Sequence, residues 1–196
     1  MSADKEQIQV ESRTELRQWL AKNHARKEGV WLVTFKKSAG DKYVSWDDLV
    51  QEVICFGWID SQARRLDADR SMQWIAPRKP GSGWSRRNKE HVAQLAAAGL
   101  LMPAGLAKIE AAQADGSWNA LDAVENLEVP PDLVEALAEY TDAAAHFEAF
   151  PRSVKRSILE WIGNAKQPST RQKRVAETAR LAQDNIRANQ WRPSTP

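Results

Sequence analysis

Between Cys55 and His91 the chain reads CFGWIDSQARRLDADRSMQWIAPRKPGSGWSRRNKEH, residue types suited to holding an anion against a ring. From Gln62 to Glu90, eight Lys and Arg side chains face three carboxylates, a local excess of five positive charges. Three indoles, Trp58, Trp74 and Trp84, interleave with them, and Asp60 closes an apolar run. A guanidinium offers carboxylate or phosphate a planar fork of N–H groups and also stacks on aromatic faces. Gly81-Ser82-Gly83 leads to Ser85, a good helix N-cap, with Asn88 one turn on. Free backbone N–H groups and the positive end of a helix would then stand beside Arg78. No Lys-Ser/Thr ending follows the glycines, so this is not a nucleotide P-loop. The competing reading is a surface loop with solvated arginines. Asp60 has two readings as well. It pairs with an arginine such as Arg78, or it orients a ligand, because a lone acid in an apolar run is costly.

Other chemistries have less support. His24, His91 and His146 are far apart in sequence, none with a ligand partner at helical spacing, and Cys55 is the single cysteine. No metal and no cofactor are expected. Ser61, Ser85 and Cys55 are the candidate nucleophiles, near Asp60 and His91. Ser85 is better explained as a cap and Cys55 as an inert apolar-run thiol, so no catalytic residue is assigned. In the basic tail, Lys173, Arg180 and Arg187 recur every seven residues. Glu177 and Asp184 fall four residues after the first two, the spacing of ion pairs on a solvated face, which argues against nucleic acid as the partner.

These residues need a frame. Ser12 with Glu15 and Ser45 with Asp48 are capping boxes that start helices. Val30–Phe35 is β-branched and aromatic and reads as a strand. Trp58–Arg65 and Ser71–Ala76 read as a hairpin joined by a polar turn. Trp31, Phe35, Val53, Phe56 and Ile59 are expected to share one core. Ser85 opens a helix to Gly99, and Pro103 the next, to about Ala114. Beyond Pro131 the pattern is all helical. Ile158 and Trp161 are expected on a thin stripe that leans on the N-terminal part.

The chain is long enough for one good core or two small ones. Nine Trp against four Phe and two Tyr is unusual, and some of those indoles are candidates for lining a groove. The formal charge of +2 hides segregation: ten acidic residues and no Lys or Arg from Glu110 to Glu148, then ten basic and three acidic from Arg152 to Arg192. The N-terminal segment lacks an apolar h-region and no run is long enough to span a bilayer, so the expected location is cytoplasmic. The last residues, 192–196, are expected to fray.

The runs CFGWIDS (55–61) and PRKPGSGWSRRNKEHV (77–92) resemble the YdeI/OmpD-associated, or bacteriocin-protection, family. That family carries a pattern like CFGWIDG, then TPRRPGSxWSxxN. Here Ser61 stands where the family has Gly, and Ile75-Ala76 replaces Phe-Thr. The tail is similar too, in PDLVEAL (131–137), Ala145–Phe150, ILEWI (158–162), Ala165-Lys166 and Thr170-Arg171. The resemblance implies protection against bacteriocins and antimicrobial peptides and association with an outer-membrane porin. On the motif, Arg78, Trp84, Ser85 and Asn88 match its Pro-Arg and Trp-Ser-x-x-Asn parts. Trp74 rests on composition and position alone.

The expected fold is α+β: a small sheet with packed helices over residues 1–118, a linker over 119–130, and a helical module over 131–190. The expected function is stress or bacteriocin protection, by binding a small anionic or ring-bearing ligand without catalysis. The groove would comprise Trp58, Asp60, Trp74, Arg78, Trp84, Ser85 and Asn88. A protein partner stays open. Alternatives are a nucleic-acid binder or an enzyme of unknown reaction.

Overall fold

The computed structural model describes residues 5–190. The expectation for 192–196 lies outside them. The fold is α+β, and the chain divides into two compact units, one ending at Ala120 and the other beginning at Leu121.

In the first unit Ser12 accepts the Glu15 N–H at 3.2 Å, while Glu15 accepts the Glu11 N–H at 2.8 Å. This cap starts α1, Arg13–Asn23, which buries Leu16 and Leu20. A short strand the sequence did not announce, β1 (Gln7–Gln9), precedes it. Strand β2, Val30–Phe35, pairs in parallel with β1. Ser45 caps α2, Trp46–Cys55, through the Asp48 N–H at 3.1 Å. Gly57, at φ 73°, turns the chain sharply out of α2 into β3. Strands β3 (Trp58–Arg65) and β4 (Arg70–Pro77) form an antiparallel hairpin with an irregularity between Asp60 and Ala63. The sheet order is β1-β2-β4-β3, with β1 parallel to β2 and the other pairs antiparallel. Helices α3 (Arg86–Ala97) and α4 (Pro103–Asp115) complete the unit.

Side chains alternate across a strand, so β2 serves two faces. Val30 and Leu32 join Ile75 in the core with Leu16, Leu20, Val53, Phe56, Trp58, Trp84 and Leu95. Trp31 and Val33 point the other way, opposite Trp74 and Met72 of β4. The single core expected for Trp31, Phe35, Val53, Phe56 and Ile59 therefore splits. Val53 and Phe56 are in it, Trp31 is buried outside it, and Phe35 and Ile59 are half-buried.

One polar group sits deep in this unit. Glu52, 1% exposed, accepts from Arg13 Nε at 2.7 Å and Arg17 Nη1 at 2.9 Å. Two guanidiniums on α1 thus hold the acid of α2, and the charge is compensated where it is buried.

The second unit is helical: α5 (Asp122–Glu125), α6 (Pro131–Ala138), α7 (Ala143–Ala149), α8 (Arg152–Gly163) and α9 (Pro168–Gln183). The stretch read as a linker holds α5, and Val124, Leu127 and Val129 pack on this unit's core. Leu133, Leu137, Phe147, Phe150, Val154, Ile158, Ile162, Val175 and Ala179 form that core. Ile158, expected at a docking face, is fully buried inside it, and Trp161 packs against it. Arg171 of α9 grips Asp132 of α6 with two hydrogen bonds, 2.7 and 2.9 Å.

Candidate functional site

The backbone at the end of the hairpin places Arg78. Register pairs Trp58 with Pro77, and the next N–H, that of Arg78, donates to Gly57 O at 3.0 Å. Arg78 is only 3% exposed. Its guanidinium lies over the Trp84 ring, 3.7 Å from the centroid. Nη1 donates to Gly83 O at 3.1 Å, while Nε and Nη2 meet no acceptor among the described protein atoms. Burial pushes its pKa down to about 10, against the pull of the Asp60 charge.

Two cavities flank this arginine. The larger, a cleft of ≈830 Å³, is lined by Lys5, Glu6, Arg26, Lys27, Glu28, Gly29, Trp74, Ala76 and the Pro77–Pro80 segment. Trp74 is half-buried, with Lys5 Nζ 4.2 Å from its ring centroid and Trp31 edge-on at 5.4 Å. Gly29 lets the two strand ends close up. A Cβ there would lie 2.5 Å from Ile75 O and 2.6 Å from Trp74 Cζ2. Five cations and two carboxylates rim the cleft, and Glu6 is committed to Arg26. The smaller cavity, ≈40 Å³, lies on the Trp84 side of the Lys79–Gly83 turn.

The expected site residues do not all gather here. Trp74 and Arg78 line the cleft, and Arg78 with Trp84 lines the small cavity. Trp84 is 1% exposed, packed between Arg78 and Trp118, and so belongs to the core rather than to an open wall. Trp58 is also core, fully buried, with its ring N–H donated to His24 O at 3.0 Å. Asp60 does not pair with Arg78. It accepts from Trp46 Nε1 at 3.2 Å and Gln73 Nε2 at 3.1 Å. Ser85 and Asn88 satisfy each other: Ser85 Oγ donates to Asn88 Oδ1 and accepts the Asn88 N–H at 3.2 Å. Asp60, Ser85 and Asn88 line neither cavity. At the same helix start, Arg87 is held by Asp47 at 2.6 Å. At this helix start the Asn88 N–H is therefore taken up by Ser85 itself.

Six cleft residues, Lys5, Glu6, Arg26, Lys27, Glu28 and Gly29, escaped the sequence reading; they lie just before β1 and in the α1–β2 connection, which carry no motif. His91, buried on α3, approaches Gln51 at 3.4 Å and Asp47 at 3.6 Å, not Ser85. Burial pushes the Cys55 thiol up, away from a reactive thiolate. Among the described residues no group of three or more His, Cys, Asp or Glu could hold a metal ion, and no helix is long and apolar enough to cross a membrane.

Comparison with known families gives two matches. Residues 8–108 match the family described as a domain of unknown function, DUF8412. Residues 126–185 match the family described as Bacteriocin-protection, YdeI or OmpD-Associated. Neither a curated protein nor a solved structure matches the chain.

Proposed function

The chain belongs to the domain family of unknown function DUF8412, and on that premise we propose that its first unit binds a small anionic, ring-bearing ligand in the cleft beside Trp74 and Arg78. The observation that carries this reading is Arg78, a buried guanidinium with two unpaired nitrogens and, among the described residues, no carboxylate bonded to it. A charge left buried without a partner is costly, and it makes the adjoining cleft favourable for negative charge. Lys5, Lys27 and Lys79 on the rim act in the same sense. Trp74 offers a half-exposed ring face against which an aromatic or apolar part can lie. A cleft of this size falls within the range of small-molecule sites.

The wider role is protection against bacteriocins, antimicrobial peptides or related stress, supported by the match over residues 126–185. The reading places the chain in the cytoplasm, which fractionation beside a periplasmic marker would check. It assigns binding rather than catalysis. A melting-temperature screen tests it: aromatic carboxylates and phosphates should stabilise the chain, while their neutral amides and alcohols should not. Equal shifts from charged and neutral members of each pair would remove the anion from the account.

A further inference from the structure

The inner face of the sheet changes character along its length. On β2 it runs Val30, Leu32, Thr34, and opposite these on β4 it runs Ile75, Gln73, Ser71. Val30, Leu32 and Ile75 lie in the core, whereas Thr34, Ser71 and Gln73 line a solvent-open cavity of ≈270 Å³ beside the start of α2. Thr34 is 7% exposed and Gln73 9%. Polar groups buried to this degree are normally hydrogen-bonded. Gln73 Nε2 is, to Asp60 Oδ2 at 3.1 Å and to Ser61 O at 3.0 Å. Both of those oxygens accept only, which fixes the amide with Oε1 turned away from them. Among the described residues neither Gln73 Oε1 nor the Thr34 hydroxyl has a partner, and neither is a buried atom closed off from solvent. Both oxygens are therefore accessible, and the cavity is the space that their residues line.

Aromatic side chains stand over these oxygens. Tyr43 is 40% exposed and Trp46 47%, the two exposed aromatic residues among those described, and both line this cavity. Trp46 Nε1 donates to the same Asp60 Oδ2 at 3.2 Å, so one carboxylate holds both the indole and the Gln73 amide. The charge pattern suits a neutral occupant. No carboxylate lines the cavity to attract a cation. Lys36 spends its ammonium on Asp67 O at 2.8 Å and Ala68 O at 2.6 Å, which leaves an anion only Lys37. Gln73 Oε1 takes a donor, while the hydroxyls of Thr34 and Ser71 take a donor or an acceptor. A ring with hydroxyls on its edge and C–H groups on its faces answers both features, its hydroxyls meeting the oxygens and its C–H face packing on an aromatic ring. Water would serve the oxygens and leave both aromatic side chains exposed. We propose that this cavity binds a neutral sugar ring, free or at the end of a glycan, against Tyr43 and Trp46 and the oxygens of Thr34, Ser71 and Gln73. The site shares no lining residue with the Trp74–Arg78 cleft, so it goes beyond the cleft reading and is tested separately.

Saturation-transfer NMR on the full chain is the direct probe, with glucose, galactose, mannose and N-acetylglucosamine, and with cellobiose, lactose and chitobiose. At least one of these should receive magnetisation from the protein, most strongly at its ring C–H protons. Transfer to a monosaccharide marks a free sugar, and transfer to disaccharides alone marks a glycan end; either supports the proposal. Thr34→Val removes the hydroxyl and keeps the side chain's shape, and Trp46→Ala removes an exposed ring. Each should weaken the titrated affinity about tenfold or more while the circular dichroism stays that of wild type. Trp74→Ala should bind the sugar as wild type does, whatever happens to the cleft's own ligand. No transfer from the wild-type chain to any of the seven sugars would overturn the proposal. So would an affinity unchanged in either Thr34→Val or Trp46→Ala, or a loss as large in Trp74→Ala as in Trp46→Ala, which would move the sugar to the cleft.

Discussion

Arg78 and Trp84 are stacked 3.7 Å apart, both nearly fully buried, and among the described residues no carboxylate bonds to the arginine, on which the Asp60 charge acts without pairing. Arginines placed for stability are paired, as Arg13 and Arg17 are on Glu52. If Arg78 serves binding, the fold bears its cost. Arg78→Met keeps much of the volume and removes the charge. Its melting temperature should equal or exceed that of wild type. A fall of several degrees would make Arg78 a structural group.

Phe56 closes α2 onto the sheet and is 4% exposed in the first core. Phe56→Ala should cost about 3–5 kcal/mol in a denaturant melt. A loss near zero would mean that this core can collapse into the space.

Gly105 lets α4 lie directly on the end of α2. A Cβ there would be 2.3 Å from Cys55 O and 2.6 Å from Ile54 O, both backbone atoms that cannot swing away. Gly105→Ala should destabilise by at least about 1–3 kcal/mol, the usual range for overpacking. A neutral Gly116→Ser control is not expected either, since Gly116 is at φ 80° in open space, but its cost should be the smaller.

The second unit should be sensitive to acid through Asp132. Hydrogen bonding from Arg171 holds its carboxyl below the ordinary range in the folded state. A depressed folded pKa means that the unfolded chain binds the proton more readily. The stabilisation is present above the ordinary carboxylate pKa of about 4 and fades as pH falls through the lower folded value. In Asp132→Asn the melting temperature should be lower near neutrality, and the gap to wild type should close in acid. A gap that stays constant with pH would remove the ion pair from the explanation.

Much of the frame was legible in the sequence, because it rests on local signals. Ser12, Ser45 and Ser85 each cap the helix that their spacing indicates, and the hairpin's polar turn falls between β3 and β4. Strand β1 was not legible. Three residues carry no periodicity, and their place beside β2 is decided by pairing across more than twenty residues of chain. The site was legible in its chemistry but not in its grouping. The residue types in Trp84-Ser-x-x-Asn88 suit a ligand, yet here the same atoms cap a helix and fill a core. Arg78 and Trp84 were expected side by side at an open groove, and they are side by side with the groove on the far side of the arginine. Which face a side chain takes depends on strand parity, and Asp60, opposite Ile75, reaches Gln73 on the same face and Trp46.

The most direct test of the central claim is the affinity of one aromatic anion, taken from the melting screen, measured by calorimetry on three chains. These are wild type, Trp74→Ala in the cleft, and Trp46→Ala, an exposed indole outside it. The account predicts that Trp74→Ala binds about tenfold or more weakly, a loss of about 1.4 kcal/mol, while Trp46→Ala binds as wild type does. Equal affinity in wild type and Trp74→Ala, with both chains folded, would contradict it and move the ligand out of the cleft.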